Sequence, residues 1–574
     1  MLQFDACLIP GVSYHQLELN PKQYQLVEQA VSLIKEGERA IINASGTGSG
    51  KSYMTLGMAL ELKRPLFIVC QKHIAGKWDR LCQAYGVSYH TIISYQSLAG
   101  TSPKLNHPWL TRTDVASGKS RIITTYQVTD SFLRLAHQGV LLVFDEFQHI
   151  KNPNITSRAC HCLSRVITLH PTSTSYLVAM SASPFDHEKH ANMLLKLIGY
   201  IDSSAPRPRM KHPPPATLHE GLEPLIEKAR LIDPPATDAL SLSNLTLKTI
   251  NAVCYQLYLI IKRRIVLGIY EIRLPSDVTV TMRNGFYRID SKYASQLQLA
   301  ITELAASSRY HNGTASFQEH NAVEQALMDI EFTKIHDMAE RAFQILRHHP
   351  HHKVVLSLNY NRSIDQMFSL LEQYHPLIIN GSVDPALRDE RLELYNAPTP
   401  AYRVLIMNSK VGTGFDLHDT IGGFPRHMFI SPSYSILSLI QVVGRCFREG
   451  TKSNVTITIF YGDGKSEVEI RILEALARKT EYVQGSIPEE AARYMVFPGS
   501  YPCFREDSTG ELVPMENPIS ASPPSPPSST RSGDPPAVPR PPEAVSSIIV
   551  DCPLTRHLNK IMLARNGGVL ERVR

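Results

Sequence analysis

No uninterrupted apolar run in this 574-residue chain reaches the ~18–20 residues needed to cross a bilayer. The richest stretch, Tyr255 to Tyr270, is broken by Lys262-Arg263-Arg264, so no membrane partner is expected. The N-terminus carries Asp5 and lacks a basic flank before its short apolar run, which argues against a secretory signal. Paired cysteines are also missing. Nine are scattered, and Cys160-His161-Cys162 lacks the two-residue spacing of a zinc knuckle, which leaves a reducing compartment as the expectation. Strong charge of one sign is absent too: a net charge of +6 tolerates a polyanion partner without demanding one. With 43% hydrophobic and 20% charged residues, the chain reads as soluble and intracellular, in nucleus or cytoplasm. Its length calls for two or three domains.

What is present is an alternation. Short apolar runs at Ala40–Asn43, Leu66–Cys70, Arg121–Thr125, Leu141–Asp145 and Tyr176–Met180 are separated by longer mixed segments. That grammar predicts βαβ units and a parallel sheet covered on both faces. It recurs at Lys353–Leu358, Leu377–Ile379, Arg403–Met407, His427–Ile430 and Val455–Phe460. The expected organisation is an α/β lobe over 1–201, a mostly helical connector over 202–331 with some strand at Val278 to Ile289, a second α/β lobe over 332–485, and an extension over 486–574. Within that extension, 518–547 is dominated by Pro and Ser and is expected to be disordered, because it cannot bury enough apolar surface to offset its ordering entropy.

Three motifs carry chemistry. Ser45-Gly46-Thr47-Gly48-Ser49-Gly50-Lys51-Ser52 follows an apolar strand and opens a helical run. Glycines let successive N–H groups turn inward around phosphate oxygens, and the helix points its positive end at the same anion. Lys51 adds a charge on the β- and γ-phosphates, and Ser52 offers a hydroxyl to Mg²⁺. Ser45 replaces the usual first glycine. The second motif is Leu141-Leu142-Val143-Phe144-Asp145-Glu146, an apolar strand ending in two acids. Asp145 suits the magnesium shell and Glu146 the attacking water, provided the strand ends at Asp145 so that both face one site. The third is Gln441-Val442-Val443-Gly444-Arg445-Cys446-Phe447-Arg448. On a helix, Gln441, Gly444, Arg445 and Arg448 would share a face suited to a γ-phosphate in the transition state.

Taken in order, these segments resemble a superfamily-two helicase/translocase, over roughly Asn20 to Gly462. The resemblance implies two RecA-like, doubly wound parallel-sheet domains that clasp ATP and Mg²⁺ between them. Tyr24-Gln25 resembles the adenine-reading glutamine motif. Ser181-Ala182-Ser183 matches the segment that couples hydrolysis to domain movement. Val411-Gly412-Thr413-Gly414-Phe415-Asp416 resembles motif V, with Gly414 and Asp416 implied at the nucleotide. Ile122 to Tyr126 and Asp145 to Asn152 look like the Swi/Snf-type and strawberry-notch-type translocases, and several large DNA viruses encode similar proteins.

The resemblance also implies a nucleic-acid path along Gln71, Lys72, Thr124, Thr125, Ser357, Asn359, Gly412 and Thr413, mostly by phosphate contacts. DNA is favoured over RNA. Lys262-Arg263-Arg264 is open between a phosphate contact and a solvated face. The histidines of Arg347 to Lys353 are expected in a solvated turn, and His187-Glu188-Lys189-His190 lacks the spacing of a zinc-protease helix. The competing reading is a nucleotide-binding scaffold or remodelling factor without strand separation, with the Pro/Ser tail recruiting a protein partner.

Overall fold

The computed structural model describes residues 16–100, 108–117, 121–201, 222–240, 247–269, 274–288, 295, 317–410, 415–462, 467–489 and 500–518. The Pro/Ser-rich stretch beyond 518 and the Gly412, Thr413 and Gly414 positions lie outside these residues.

The first sheet contains β1 (Ala40–Asn43), β2 (Leu66–Cys70), β3 (Tyr89–Ser94), β6 (Leu141–Asp145), β7 (Tyr176–Met180) and β8 (Val266–Leu267). Its order is β3-β2-β6-β7-β1-β8, and every neighbouring pair is parallel. Strands such as Leu66–Cys70 and Leu141–Asp145 are buried at every position. That is what a parallel sheet between two helical layers requires. The two-residue period then sorts alternate side chains into separate cores. Ala40, Ile42, Phe67, Val69, Leu142 and Phe144 enter one; Ile41, Leu66, Ile68, Leu141 and Val143 enter the other.

The second sheet contains β9 (Val280–Tyr287), β10 (Lys353–Leu358), β11 (Leu377–Ile379), β12 (Val404–Asn408), β13 (Arg426–Ile430), β14 (Val455–Gly462), β15 (Cys503–Glu506) and β16 (Leu512–Met515). The order is β11-β12-β10-β13-β14-β9-β15-β16. All pairs are parallel except β15 with β16. The same alternation divides Val355, Leu405 and Met428 from Val354, Val404 and Phe429.

Three expectations are corrected. Arg121–Thr125 is not a strand of the parallel sheet. It lies in β5 (Arg121–Val128), which pairs antiparallel with β4 (Leu110–Ser117) in a separate two-stranded sheet. Thr125 is exposed on this strand, which a hairpin tolerates and a buried parallel strand does not.

Second, residues 202–331 do not form one helical connector. The Leu247–Ile265 helix packs Leu257, Tyr258 and Ile261 into the first lobe and runs into β8 beside β1. The expected strand at Val278 to Ile289 becomes β9, whose eight residues pair with β14 in the second sheet. The chain crosses between lobes after Ile269 and before Val280. Third, the described part of 486–574 is no appendage, because β15 and β16 extend the second sheet and Ile487 packs into the first core.

Within Lys262-Arg263-Arg264, Lys262 is buried, Arg264 half-buried and Arg263 exposed, and each is engaged inside the protein. Lys262 Nζ donates to the carbonyls of Gly485 (2.8 Å) and Ile487 (2.9 Å). Arg263 pairs with Asp233 at 2.7 Å, and Arg264 with Glu38 at 2.7 Å and Glu36 at 3.0 Å. The triplet fastens elements to one another.

Candidate nucleotide site between the lobes

β1 delivers the chain into the phosphate loop, and the Lys51–Leu62 helix carries it away. Gly48 and Gly50 hold φ at 81° and 84°, values that only glycine adopts without strain. Ser45 has a reason to be serine. Its hydroxyl donates to Asn43 Oδ1 at 2.6 Å and accepts from the backbone N–H of Ile269 at 3.0 Å. Gly46 N in turn donates to Ile269 O at 2.9 Å. The segment leading to the second lobe is therefore hydrogen-bonded to the phosphate loop itself.

Lys51 Nζ donates to the carbonyls of Ser45 (3.0 Å) and Gly46 (3.2 Å). Burial lowers the pKa of this ammonium, while Glu146 and Asp145 oppose the shift. Ser49 Oγ closes the loop onto Gly46 O at 2.8 Å. Thr47 faces the second lobe at Gly444.

β6 ends at Asp145, as the chemistry requires. Glu146 then takes a left-handed φ of 54°, the turn that brings two adjacent carboxyls to one place. Glu146 Oε2 accepts from Gln148 Nε2 at 2.7 Å and from Gln441 Nε2 at 3.3 Å. Asp145 Oδ2 accepts from the indole N–H of Trp78 at 2.8 Å, and Tyr95 Oη donates to its backbone carbonyl at 2.9 Å. Burial and then the neighbouring Glu146 carboxylate push the Asp145 carboxyl up to about 6. A desolvated acid beside a second acid, with the Ser52 hydroxyl at the start of the facing helix, is a donor set that fits a hard divalent cation.

In the second lobe the helix ends sooner than expected. It spans Ile436–Val443, and Gly444 caps it, so Arg445 and Arg448 project from the turn that follows rather than from a helical face. Only glycine fits at 444, because a Cβ there would overlap Thr47 Oγ1. Arg445 Nη1 donates to Phe415 O at 3.3 Å, and its buried Nε has no hydrogen-bond partner among the described residues. Burial and then Arg448 bring the Arg445 guanidinium down to about 10. Arg448 is ion-paired with Asp416, and its side-chain carbons cover Gly48 so closely that a Cβ there would lie 2.7 Å from Arg448 Cγ. The site is thus a closed seam between two lobes. It holds the Lys51 ammonium, the Arg445 and Arg448 guanidinium groups and the carboxyls of Asp145, Glu146 and Asp416, a set able to bind a polyphosphate with its metal and to polarise a water.

Other expected residues fall differently. Gln25 is exposed on the Pro21–Lys35 helix. Gln23 instead reaches the loop, donating from Nε2 to Ser49 O at 2.9 Å. Gln23 also completes a capping box with Asn20, a spacing legible in the sequence. Ser181, Ala182 and Ser183 are buried, with Ser181 N on Asn43 O at 3.1 Å, directly behind the phosphate loop.

Along the implied nucleic-acid path, Lys72 is exposed and Gln71 half-buried. Thr125 is exposed, whereas Thr124 is buried and donates to Asp114 Oδ1 at 2.6 Å. Ser357 is buried at the end of a central strand and shares a hydrogen bond with Ser409 at 2.9 Å. Asn359 Nδ2 is engaged by Glu331 (2.7 Å) and Ser431 O (3.1 Å). Ser357 and Asn359 therefore hold the lobe together and do not present free donors. Trp78, Tyr95, Gln23 and Ile269 were missed; apart from the capping box, no local pattern marks them.

Residues 16–186 match the family described as type III restriction enzyme, res subunit. Over 444 residues the chain is 23% identical to a protein of Acanthamoeba polyphaga mimivirus, provisionally named ATP-dependent RNA helicase L364, covering 76% of this chain and 78% of that one. The Sulfolobus solfataricus SWI2/SNF2 ATPase core in complex with dsDNA aligns at 13% identity, covering 84% of this chain and 98% of that chain. Its TM-score of 0.28 is too low to carry an argument about the fold. The ordered motifs, the matched family over residues 16–186 and the mimivirus relative together support a helicase/translocase of superfamily two. The same matches support an ATP-hydrolysing enzyme.

Proposed function

We propose that this protein couples ATP hydrolysis to movement along duplex DNA. The observation that carries the coupling is the bond between Gln441 Nε2 and Glu146 Oε2, which joins the acid expected to handle water to the second lobe. Lys51 leaves the carbonyls of Ser45 and Gly46 for the β- and γ-phosphates when nucleotide enters. Ser52 and Asp145 are the residues that would hold Mg²⁺, which supplies neutralisation of the phosphate charge. Glu146, oriented by Gln148 and Gln441, accepts a proton from the attacking water. Arg445, whose Nε has no partner among the described residues, and Arg448 stabilise charge on the transferring group. Gln23 stands at the entrance and suits the base. After hydrolysis the lobes part, and the segment fastened through Ser45 to Ile269 transmits the change.

The preference for DNA rests on the Swi/Snf-like segments Ile122 to Tyr126 and Asp145 to Asn152. RNA is the second reading, favoured by the name of the mimivirus relative. Lys72 and Thr125 are the exposed members of the proposed path. Residues 518–547 would recruit a protein partner. ATP hydrolysis titrated separately with single- and double-stranded DNA and RNA tests the reading. Stimulation by duplex DNA is expected; stimulation by RNA alone would move the substrate, and no stimulation by any polymer would sink the translocase reading. Displacement of a tailed duplex then separates unwinding from translocation.

A further inference from the structure

The Ala75–Tyr85 helix buries only Trp78 and Cys82, one turn apart. It follows β2, and β2 lies next to β6 in parallel register, Val69 opposite Phe144. The helix leaving β2 therefore passes over the end of β6, where Asp145 stands. Trp78 has no solvent exposure, and its only polar atom is a donor. That donor meets Asp145 Oδ2 at 2.8 Å. An N–H held in a packed indole can fix which carboxylate oxygen is engaged and which is left for another partner. Tyr95 fixes the same residue from behind through its carbonyl. Asp145 is thus held at two points by aromatic side chains, its carboxyl by Trp78 and its backbone carbonyl by Tyr95, each on a helix outside the three motifs.

We infer that Trp78 is a positioning residue for the metal-bound nucleotide: its indole N–H engages Asp145 Oδ2 and thereby presents the other oxygen to the divalent cation. This rests on the reading of Asp145 as a metal-holding carboxylate. Partners of this kind, one step removed from a metal, are worth ~10–100-fold in metal affinity or activity. The role also makes Trp78 a reporter, because the chain contains two tryptophans and the other, Trp109, packs against Phe67.

The test uses the full chain. In Trp109→Phe, Trp78 is the sole indole, and its emission is followed while Mg²⁺ is titrated with ADP present. A saturable change that needs both Mg²⁺ and ADP, and that disappears in Trp109→Phe/Asp145→Asn, is the expected result. In parallel, Trp78→Phe should raise the Mg²⁺ concentration for half-maximal ATP hydrolysis ~10-fold, with a much smaller change in the rate at saturating Mg²⁺. A residue that merely fills the core would lower stability without splitting these two quantities. If Trp78→Phe does not fold, the emission titration alone decides. An emission indifferent to Mg²⁺ and ADP, or an unchanged Mg²⁺ requirement in Trp78→Phe, overturns the inference. Those results with an inactive Asp145→Asn leave the metal reading of Asp145 standing. Full hydrolysis by Asp145→Asn would overturn that reading, and the inference with it.

Discussion

Gln441 and Glu146, 295 residues apart in sequence, meet at 3.3 Å across the seam between the two lobes. Glu146, the acid next to Asp145, is thus held partly by its own lobe, through Gln148, and partly by the other. Hydrolysis and lobe closure then depend on one another. Glu146→Gln should lower the ATP hydrolysis rate by ~10²–10⁴-fold, the range of a lost general base, while nucleotide binding measured by equilibrium dialysis is retained. A variant that hydrolyses at the original rate would remove Glu146 from the proposed role.

Gly444 sits against Thr47, with no room for a Cβ. Gly444→Ala should therefore hold the lobes apart by a fraction of an ångström to an ångström. Misplacement of that size costs ~10²-fold in rate. The loss should appear in kcat more than in KM for ATP, since the phosphate loop itself is intact. Steady-state kinetics that show an unchanged kcat would mean the seam opens before the rate-limiting step.

Arg445 carries a buried Nε without a hydrogen-bond partner among the described residues. Arg445→Ala should reduce hydrolysis by ~10³-fold or more, as expected of an arginine that meets transition-state charge. Arg445→Lys should recover little, because an ammonium cannot reproduce the planar fork. Single-turnover hydrolysis rates compare the two.

Lys262 distinguishes fastening from phosphate contact. Its Nζ holds the carbonyls of Gly485 and Ile487. Lys262→Met should cost ~1–3 kcal/mol in chemical unfolding, from two carbonyls left unmatched. The salt dependence of nucleic-acid binding should be unchanged, whereas loss of a true phosphate contact would flatten its slope by about one.

Glu38 supplies a pH dependence. Burial alone would raise its pKa, but the hydrogen bonds from Lys228, Tyr200 and Arg264 outweigh that and hold it below the usual glutamate value. A depressed folded-state pKa contributes stability that is present above the unfolded value and lost as pH falls through the folded one. The acid limb of the stability profile should thus move in Glu38→Gln, and the variant should lose ~1–3 kcal/mol near neutral pH. Urea titrations at several pH values measure both; an unchanged acid limb would show that the cluster contributes nothing.

The parallel strands were legible because each is a short apolar run, and burial on both faces leaves that mark in composition. Arg121–Thr125 misled because a half-polar hairpin strand and a short sheet strand look alike over five residues. β15 and β16 escaped because a parallel neighbour can come from anywhere in the chain. Within the site, the glutamine-motif resemblance points to Gln25, whereas the capping-box spacing from Asn20 marks Gln23. Ser357 and Asn359 carried the right side-chain chemistry, but their burial and their bonds to Ser409 and Glu331 were invisible without the fold.

By itself, the sequence determined the chemical inventory: a glycine-rich turn between strand and helix at Lys51, paired acids at the end of a strand, and two arginines beside a glycine. These are local patterns, written in consecutive residues whose backbone conformations follow from sterics and hydrogen bonding over a few positions. Tertiary structure alone decided the assembly. It set Trp78 on Asp145, Ile269 on Ser45, Gln441 on Glu146, and Lys262 on the carbonyl of Gly485. Each of these contacts joins residues well separated along the chain, or decides which way a charged side chain turns. They depend on how helices lie over strand ends and how two sheets face each other, and no local periodicity encodes that.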